Sequence, residues 1–436
     1  MKSFSLLLLP LLADAAVVGQ RPEILYKRQL ESLASQVVGK PLASTSKKTL
    51  KPELFAKTPQ ALREKVTWGP FKLTAANGTH SASGFVKLDK QSDMIGTLIS
   101  GHCQECMVLS AEATIEDAKG TRLGLDHGIY VHHVISLDIG RAGVMPPAFA
   151  MGCNPLAGFN LSSMASGGGK AAGGHSHGMR RDTTVDEPKS SSPVAPKSTQ
   201  PASSWASTLG SIFAPPKVSI FVGKGNEAQA TLFAAPNTTV KSGYYIGKTD
   251  QIYASAEIVN YKTYDREVYL SLDYEYVPGN GKRPEGYMDV GMGAINIDAC
   301  MNKFDLPDPP KNKSITYTSP DWYVMANGYL INLSPHMHDG AVNMKFFLND
   351  KQVCKSDAIY GGDGGTVIDG KSWETITSYS LCKDPVRIRI GDKLKISSEY
   401  DLSRHRLRPM SKDHGMEAEA MALANFQFAI ENGSLK

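Results

Sequence analysis

The 436-residue chain has few of the features that would send it to a membrane or a nucleic acid. Beyond its first residues no stretch reaches the roughly 18 uninterrupted apolar residues of a membrane span. Its polar end, Glu431-Asn-Gly-Ser-Leu-Lys436, is unlike a lipid-anchor signal. An excess of charge of one sign is also missing, since 47 Lys plus Arg against 43 Asp plus Glu leave a net +4. That balance builds no basic field for a phosphate backbone, so nucleic-acid binding is not expected, and it is not the composition of an acidic disordered chain. No His-Glu-x-x-His zinc helix is present, and no long helical stripe of apolar residues runs through the body.

Cysteine is scarce but even in number: Cys103, Cys106, Cys153, Cys300, Cys354 and Cys382. Six cysteines can close three disulfides in an oxidising compartment, by any of 15 connectivities. Cys354 is expected to pair with Cys382, both lying in the C-terminal part. Cys103-x-x-Cys106 has no second such pair to complete a structural zinc site, which favours a disulfide there too. Export is the expectation. Lys2, the apolar run Leu6 to Leu12 and Ala13-Asp14-Ala15 read as a signal peptide over 1–15. Acceptor triplets for N-glycans at Asn77, Asn160, Asn237, Asn312, Asn332 and Asn432 point the same way.

Residues 16–65 are polar and mildly basic and read as a leader or extended arm, with Lys27-Arg28 as a candidate dibasic processing site. From about Thr67 the pattern becomes short runs of period two bounded by Gly, Asn, Asp and Pro, which predicts an all-β, antiparallel fold. Val268, Leu270, Leu272, Tyr274 and Tyr276 would face a core, and Glu267, Ser271, Asp273 and Glu275 the solvent. Val342, Met344, Phe346 and Leu348 alternate likewise ahead of Asn349-Asp350. Val386 to Ile390, Gly391-Asp392 and Lys393 to Ile396 predict a hairpin. The Gly-, Ala-, Ser- and Pro-rich stretch over 162–216 cannot bury enough apolar surface to offset its ordering entropy and reads as a disordered insertion.

Six of the 11 histidines fall in three pairs. Adjacent His132-His133 on an apolar strand would point to opposite faces unless the strand bulges there. In His336-Met-His338 the imidazoles share a face and can reach one metal ion. His175-Ser-His177 lies in the insertion, where no ordered site is expected. Met421, in Glu417-Ala-Glu-Ala-Met421, reads as core by itself. Beside imidazoles its thioether becomes a soft donor, and histidine nitrogen with thioether suits Cu(I).

From about Gly243 to Ala429, together with Val131-His-His-Val134, the sequence resembles the copper type II ascorbate-dependent monooxygenases, the peptidylglycine and dopamine hydroxylating enzymes. The resemblance implies two jelly-roll β-sandwich domains with one copper on each, here over 66–305 and 306–436. His132 and His133 would hold the electron-transfer copper. His336, His338 and Met421 would hold the oxygen-activating copper, with His414-Gly415 also matching the pattern. The third ligand of the first site falls on Asn260, in Ile258-Val-Asn-Tyr261, and asparagine binds Cu(I) poorly. Two imidazoles then hold that copper alone, His127 substitutes, or the site is lost. Nearly the whole chain is similar to the stress up-regulated nodulin proteins of plants and their fungal secreted relatives, in Ile99 to Met107, Tyr400 to Arg408 and Glu419 to Leu423. The expected function is a secreted copper protein that hydroxylates a C–H bond of a small-molecule, peptide or cell-wall substrate with O2 and a reductant. The alternative is a non-catalytic stress or cell-wall protein with a copper-buffering site.

Overall fold

The computed structural model describes residues 40–80, 91–140, 149–150 and 218–431, with breaks at 228, 237–239, 298–305, 325, 369–370, 383 and 409–416. The signal-like start, residues 16–39 of the arm and the 162–216 insertion lie outside the described residues, as do Cys153, Cys300, His175, His177 and His414.

The regular elements of the described chain are strands, with a single short 3-10 turn. The chain opens with β1 (Ser46–Leu50), β2 (Leu62–Leu73), β3 (Ser92–Ile99) and β4 (Cys106–Glu116), then the 3-10 turn at Leu125–His127 and β5 (Ile129–Ile139). There follow β6 (Phe149–Ala150), β7 (Val218–Lys224), β8 (Thr231–Leu232), β9 (Ser242–Ile246), β10 (Gln251–Asn260), β11 (Arg266–Pro278) and β12 (Met288–Asn296). The rest comprises β13 (Ile315–Thr318), β14 (Trp322–Val324), β15 (Gly328–Met337), β16 (Ala341–Leu348), β17 (Lys351–Ile368), β18 (Lys371–Tyr379), β19 (Val386–Ile388), β20 (Lys393–Tyr400) and β21 (Ala422–Ile430). No helix among the described residues is long and apolar enough to cross a membrane.

A ten-stranded sheet, in the order β1-β2-β11-β4-β9-β12-β21-β15-β19 with β8 beside β4, runs the length of the fold. Two smaller sheets accompany it: β3-β10-β5-β7, and β18-β17-β16-β20-β14-β6 with β13 beside β20. One core joins the four-stranded sheet to β2, β4 and β11, through Trp68, Ile115, Val134, Ile258 and Leu270. A second joins the seven-stranded sheet to β15 and β21, through Leu333, Met344, Phe346, Ile396 and Phe428. Among the described strands pairing is antiparallel except where β9 meets β12, and a lone parallel bridge joins Leu42 to Ile99. Because β12 pairs with β21, the long sheet passes from the side of one core to the side of the other without a break.

The alternation on β11 is borne out for its core face, where Val268, Leu270, Leu272, Tyr274 and Tyr276 are buried. Its other face is less open than the pattern implies. Ser271 and Glu275 are buried as well: Ser271 Oγ is bonded to Glu116 and Thr67, and the 53–55 segment lies over Glu275. Glu275 accepts the backbone N–H groups of Glu53, Leu54 and Phe55 at 2.8–2.9 Å. This end of the arm is therefore folded onto the sheet, with β1 paired to β2 from Ser46↔Thr67 to Leu50↔Arg63.

Two more expectations change. Gly391-Asp392 is a turn, with Gly391 at φ +91 and Asp392 N–H donating to Arg389 O at 3.0 Å. Its two arms do not pair, however: β19 joins β15, and β20 joins β16, β13 and β14. The turn is a corner between two sheets, a geometry that alternation cannot distinguish from a hairpin. Asn349-Asp350 does close a hairpin, both residues at positive φ between β16 and β17. Cys103–Cys106 and Cys354–Cys382 are disulfides, as expected. Asn332 is no glycan acceptor, since it is 5% exposed on β15 and its Nδ2 donates to Gln427 at 3.1 Å.

Candidate metal centre

The His132-His133 pair meets the condition set for adjacent imidazoles to act together. Opposite Glu257 the β5–β10 register skips, from Glu257↔His133 to Ile258↔Val131, leaving His132 as the extra residue of a bulge. The two rings then stack, with centroids 4.3 Å apart. Glu257 lies against both, its Oε2 3.3 Å from His132 Nδ1 and 3.7 Å from His133 Nδ1. Its Oε1 accepts the Ser92 hydroxyl at 2.8 Å, which fixes the carboxylate from the neighbouring strand β3.

The second pair sits where β15 ends. His336 and His338 are both buried, as same-face residues facing inward must be. Met337 between them faces the other way, its sulfur accepting the Ser398 hydroxyl at 3.2 Å. Each imidazole has a carboxylate of its own. Glu227 Oε1 is 3.8 Å from His336 Nδ1, and Glu419 reaches His338 Nδ1 through its Oε1 at 3.3 Å and its backbone oxygen at 3.1 Å. Gly225 follows β7 beside His336, and its N–H donates to Glu227 at 2.9 Å. A Cβ at Gly225 would come within 3.0 Å of His336 Cε1 and 2.9 Å of Glu227 Oε2, so the position has no room for a side chain.

The two pairs form one cluster. The His132 and His338 rings are 5.6 Å apart and those of His133 and His336 5.2 Å. Ligand atoms of His132, His133 and His338 all lie within 4.8 Å of one another. The sequence assigned the pairs to separate copper ions; in the structure the bulge on β5 and the end of β15, which carry them, face each other. The cluster suits a metal on its own chemistry. The Nε2 atoms of His132, His336 and His338 are buried and have no hydrogen-bond partner, a costly state for polar atoms that a metal would relieve. Carboxylates stand at Nδ1 of each ring, the arrangement that orients metal-ligating histidines.

Electrostatics prepare the rings for a cation. Burial, then the neighbouring His132, push His133 down to about 3, so it stays neutral and able to donate to a metal at ordinary pH. For Glu227, burial alone would raise the carboxyl, but His336, the Gly225 N–H and Lys224 bring it down to about 2. Glu257 and Glu419 are likewise held far below the carboxylate range, where the histidines beside them overcome burial. At His338 burial acts downward and the Glu419 carboxylate more than offsets it, so its proton is held more tightly than usual. A protonated imidazole binds no metal, and metal affinity is expected to fall as pH drops through this raised value. Glu419→Gln removes the cause and moves the fall to lower pH. A competing chelator titrated against both proteins reads the two curves, which coincide if Glu419 has no such role.

Not every residue singled out by sequence joins the cluster. Asn260, the last residue of β10, turns its side chain to nearby backbone. Its amide donates to Thr74 O at 3.1 Å and Tyr264 O at 3.0 Å, and its oxygen accepts Lys262 N–H at 3.0 Å. Asn260→Ala strands these backbone groups and is expected to cost about 1–3 kcal/mol in denaturant unfolding, with metal content unchanged. His127 Nδ1 lies 2.8 Å from the Asp126 carboxylate. Met421 lies across from His338, whose N–H donates to Met421 O at 3.0 Å, and the β15–β21 register places it on the same face. The sequence missed Glu227 and Glu257, whose positions carry no motif; Glu419 lies two residues before Met421 in a stretch already noted. Two further motif spacings lead to no site. Gly365-Thr-Val-Ile-Asp-Gly-Lys-Ser372 has phosphate-loop spacing, but Thr366, Val367 and Ile368 on β17 pair with Trp373, Ser372 and Lys371 on β18. Gly174-His-Ser-His-Gly178, of nucleophile-elbow spacing, lies outside the described residues.

The chain is similar to the probable copper-dependent oxygenase M1 of a Phoma species, at 26% identity over 198 residues, which is 45% of this chain and 47% of that protein. It is also similar to the probable copper-dependent oxygenase clz3 of Cochliobolus lunatus, at 25% identity over 195 residues, 45% of this chain and 59% of that protein. The matched part thus spans about half the length of these relatives. No family model matches the chain.

Proposed function

We propose that the protein is a secreted copper-binding oxygenase whose copper is held by His132, His133 and His338, with His336 beside them and Met421 on the same face. The observation that carries this reading is the set of buried imidazole nitrogens without partners, gathered from two sheets and each backed by a carboxylate. Neutral histidine nitrogen with a thioether at hand favours copper over the hard cations. The likeness to two copper-dependent oxygenases supports the same metal. The Cys103–Cys106 and Cys354–Cys382 disulfides support an oxidising compartment.

Copper bound here would supply the one-electron redox chemistry through which O2 is used to hydroxylate a C–H bond, with ascorbate or another reductant providing electrons. The protein's own contribution is orientation and exclusion of water. Glu257, Glu227 and Glu419 set the rings from behind, and the Asp339 carboxylate, accepting from Trp373 Nε1, Thr375 Oγ1 and Ile376 N at 2.8–3.0 Å, anchors the chain just after His338. Substrate would be an organic molecule, peptide or cell-wall component. The test is Cu(I) titration of the purified chain followed by reductant-dependent oxygen uptake. Stoichiometric copper with uptake is expected. Copper without uptake would favour the buffering role, and no copper would refute the reading.

A further inference from the structure

A line of redox-active rings leads outward from the cluster. The Tyr130 ring is 5.9 Å from that of His132, the Trp373 ring is 5.8 Å from Tyr130, and the Tyr261 ring is 6.1 Å from Trp373. Tyr130 and Trp373 are buried, whereas Tyr261 is half-buried and reaches the surface. These rings come from three elements: β5, β18 and the turn after β10. They form a separate apolar cluster with Leu125 and Val259, outside the two main cores. Arg408 holds two of them in place, its guanidinium 5.0 Å from the Tyr130 ring centre and its Nη1 donating to Tyr261 Oη at 3.3 Å.

We propose that Tyr130, Trp373 and Tyr261 are a protective electron path that carries oxidising equivalents away from the copper ligands when no substrate consumes them. This rests on the copper reading above. Peroxide meeting the Cu(I) protein takes up two electrons and two protons to become two waters. Copper held by the histidines would supply one of these electrons. Without substrate the second would otherwise come from a ligand imidazole. Here the Trp373 indole gives it, across the Tyr130 ring, and keeps its N–H on Asp339. Tyr261 refills Trp373 and releases its phenol proton to solvent. An external one-electron reductant such as ascorbate then restores Tyr261, a proton returning with the electron.

The test treats the Cu(I)-loaded full chain with hydrogen peroxide in the absence of substrate. Freeze-quench electron paramagnetic resonance reads tryptophan and tyrosine radicals, and peptide mass spectrometry reads oxidation of His132, His133 and His338. In the unchanged protein a radical signal and spared histidines are expected. Trp373→Phe should lose the radical signal and raise histidine oxidation several-fold. Trp373→Tyr should restore both, although it lacks the indole N–H as fully as phenylalanine does, so a purely structural role for Trp373 predicts that the two variants behave alike. Equal radical yield and equal ligand damage in all three proteins, with copper bound normally, would overturn the path alone. Failure of every protein to bind copper would overturn the copper reading and the path with it.

Discussion

His338→Ala is expected to remove the histidine-bound copper as a whole, and His133→Ala to perturb the same ion. Two independent sites would lose one ion to each variant. In the structure the pairs face each other, with rings of opposite pairs 5.2 and 5.6 Å apart, so either substitution removes a donor from a shared centre. Loss of a direct ligand should exceed the 10–100-fold that loss of an outer partner typically costs in metal affinity. The double variant should cost much less than the sum of the single ones, because the second change acts on a centre already lost. Copper stoichiometry and the Cu(II) spectrum of each variant are the measurements. A His338→Ala protein that keeps an unaltered copper spectrum while losing one ion of two would restore the separate-site picture.

Glu257→Gln should weaken copper binding by about 10–100-fold although Glu257 is not among the clustered ligands. The carboxylate is 1% exposed and lies against Nδ1 of both His132 and His133. It sets which nitrogen of each ring carries hydrogen and raises the donor strength of the other. An amide of the same size can still accept from Ser92, but it presents one weak acceptor and a pair of hydrogens to the rings and has no charge to offset the metal. Fold stability should change little by comparison, which separates this effect from unfolding. Equal copper affinity in the two proteins, measured by chelator competition, would show that the rings are held by packing instead.

The all-β class was legible because period-two runs between turn residues have one physical reading. The partnering of strands was not, since β19 and β20 carry the alternation and turn of a hairpin yet belong to different sheets. The histidines were legible as pairs with metal-binding spacing. Their meeting was not, for it depends on a one-residue skip opposite Glu257 and on where β15 stops, neither of which leaves a local signature. Asn260 was read as a failed ligand by its place in a pattern. Its chemistry is that of a residue whose amide satisfies three backbone groups, and only the fold reveals those partners.

The long sheet sets a schedule on the centre. His132 and His133 emerge early from the ribosome, but the imidazoles facing them stand on β15, and β15 is held between β19 and β21, the last strand of the described chain. Glu419, which orients His338, precedes that strand by only three residues. A chain interrupted before β15 would carry half the clustered histidines, and one interrupted before β21 would lack the strand that β15 pairs with. Such late closure of contacts far apart in sequence is slow. A metal held by both histidine pairs would therefore find its full donor set only after the strands on either side of β15 have closed, and a partly made chain would be spared from carrying it.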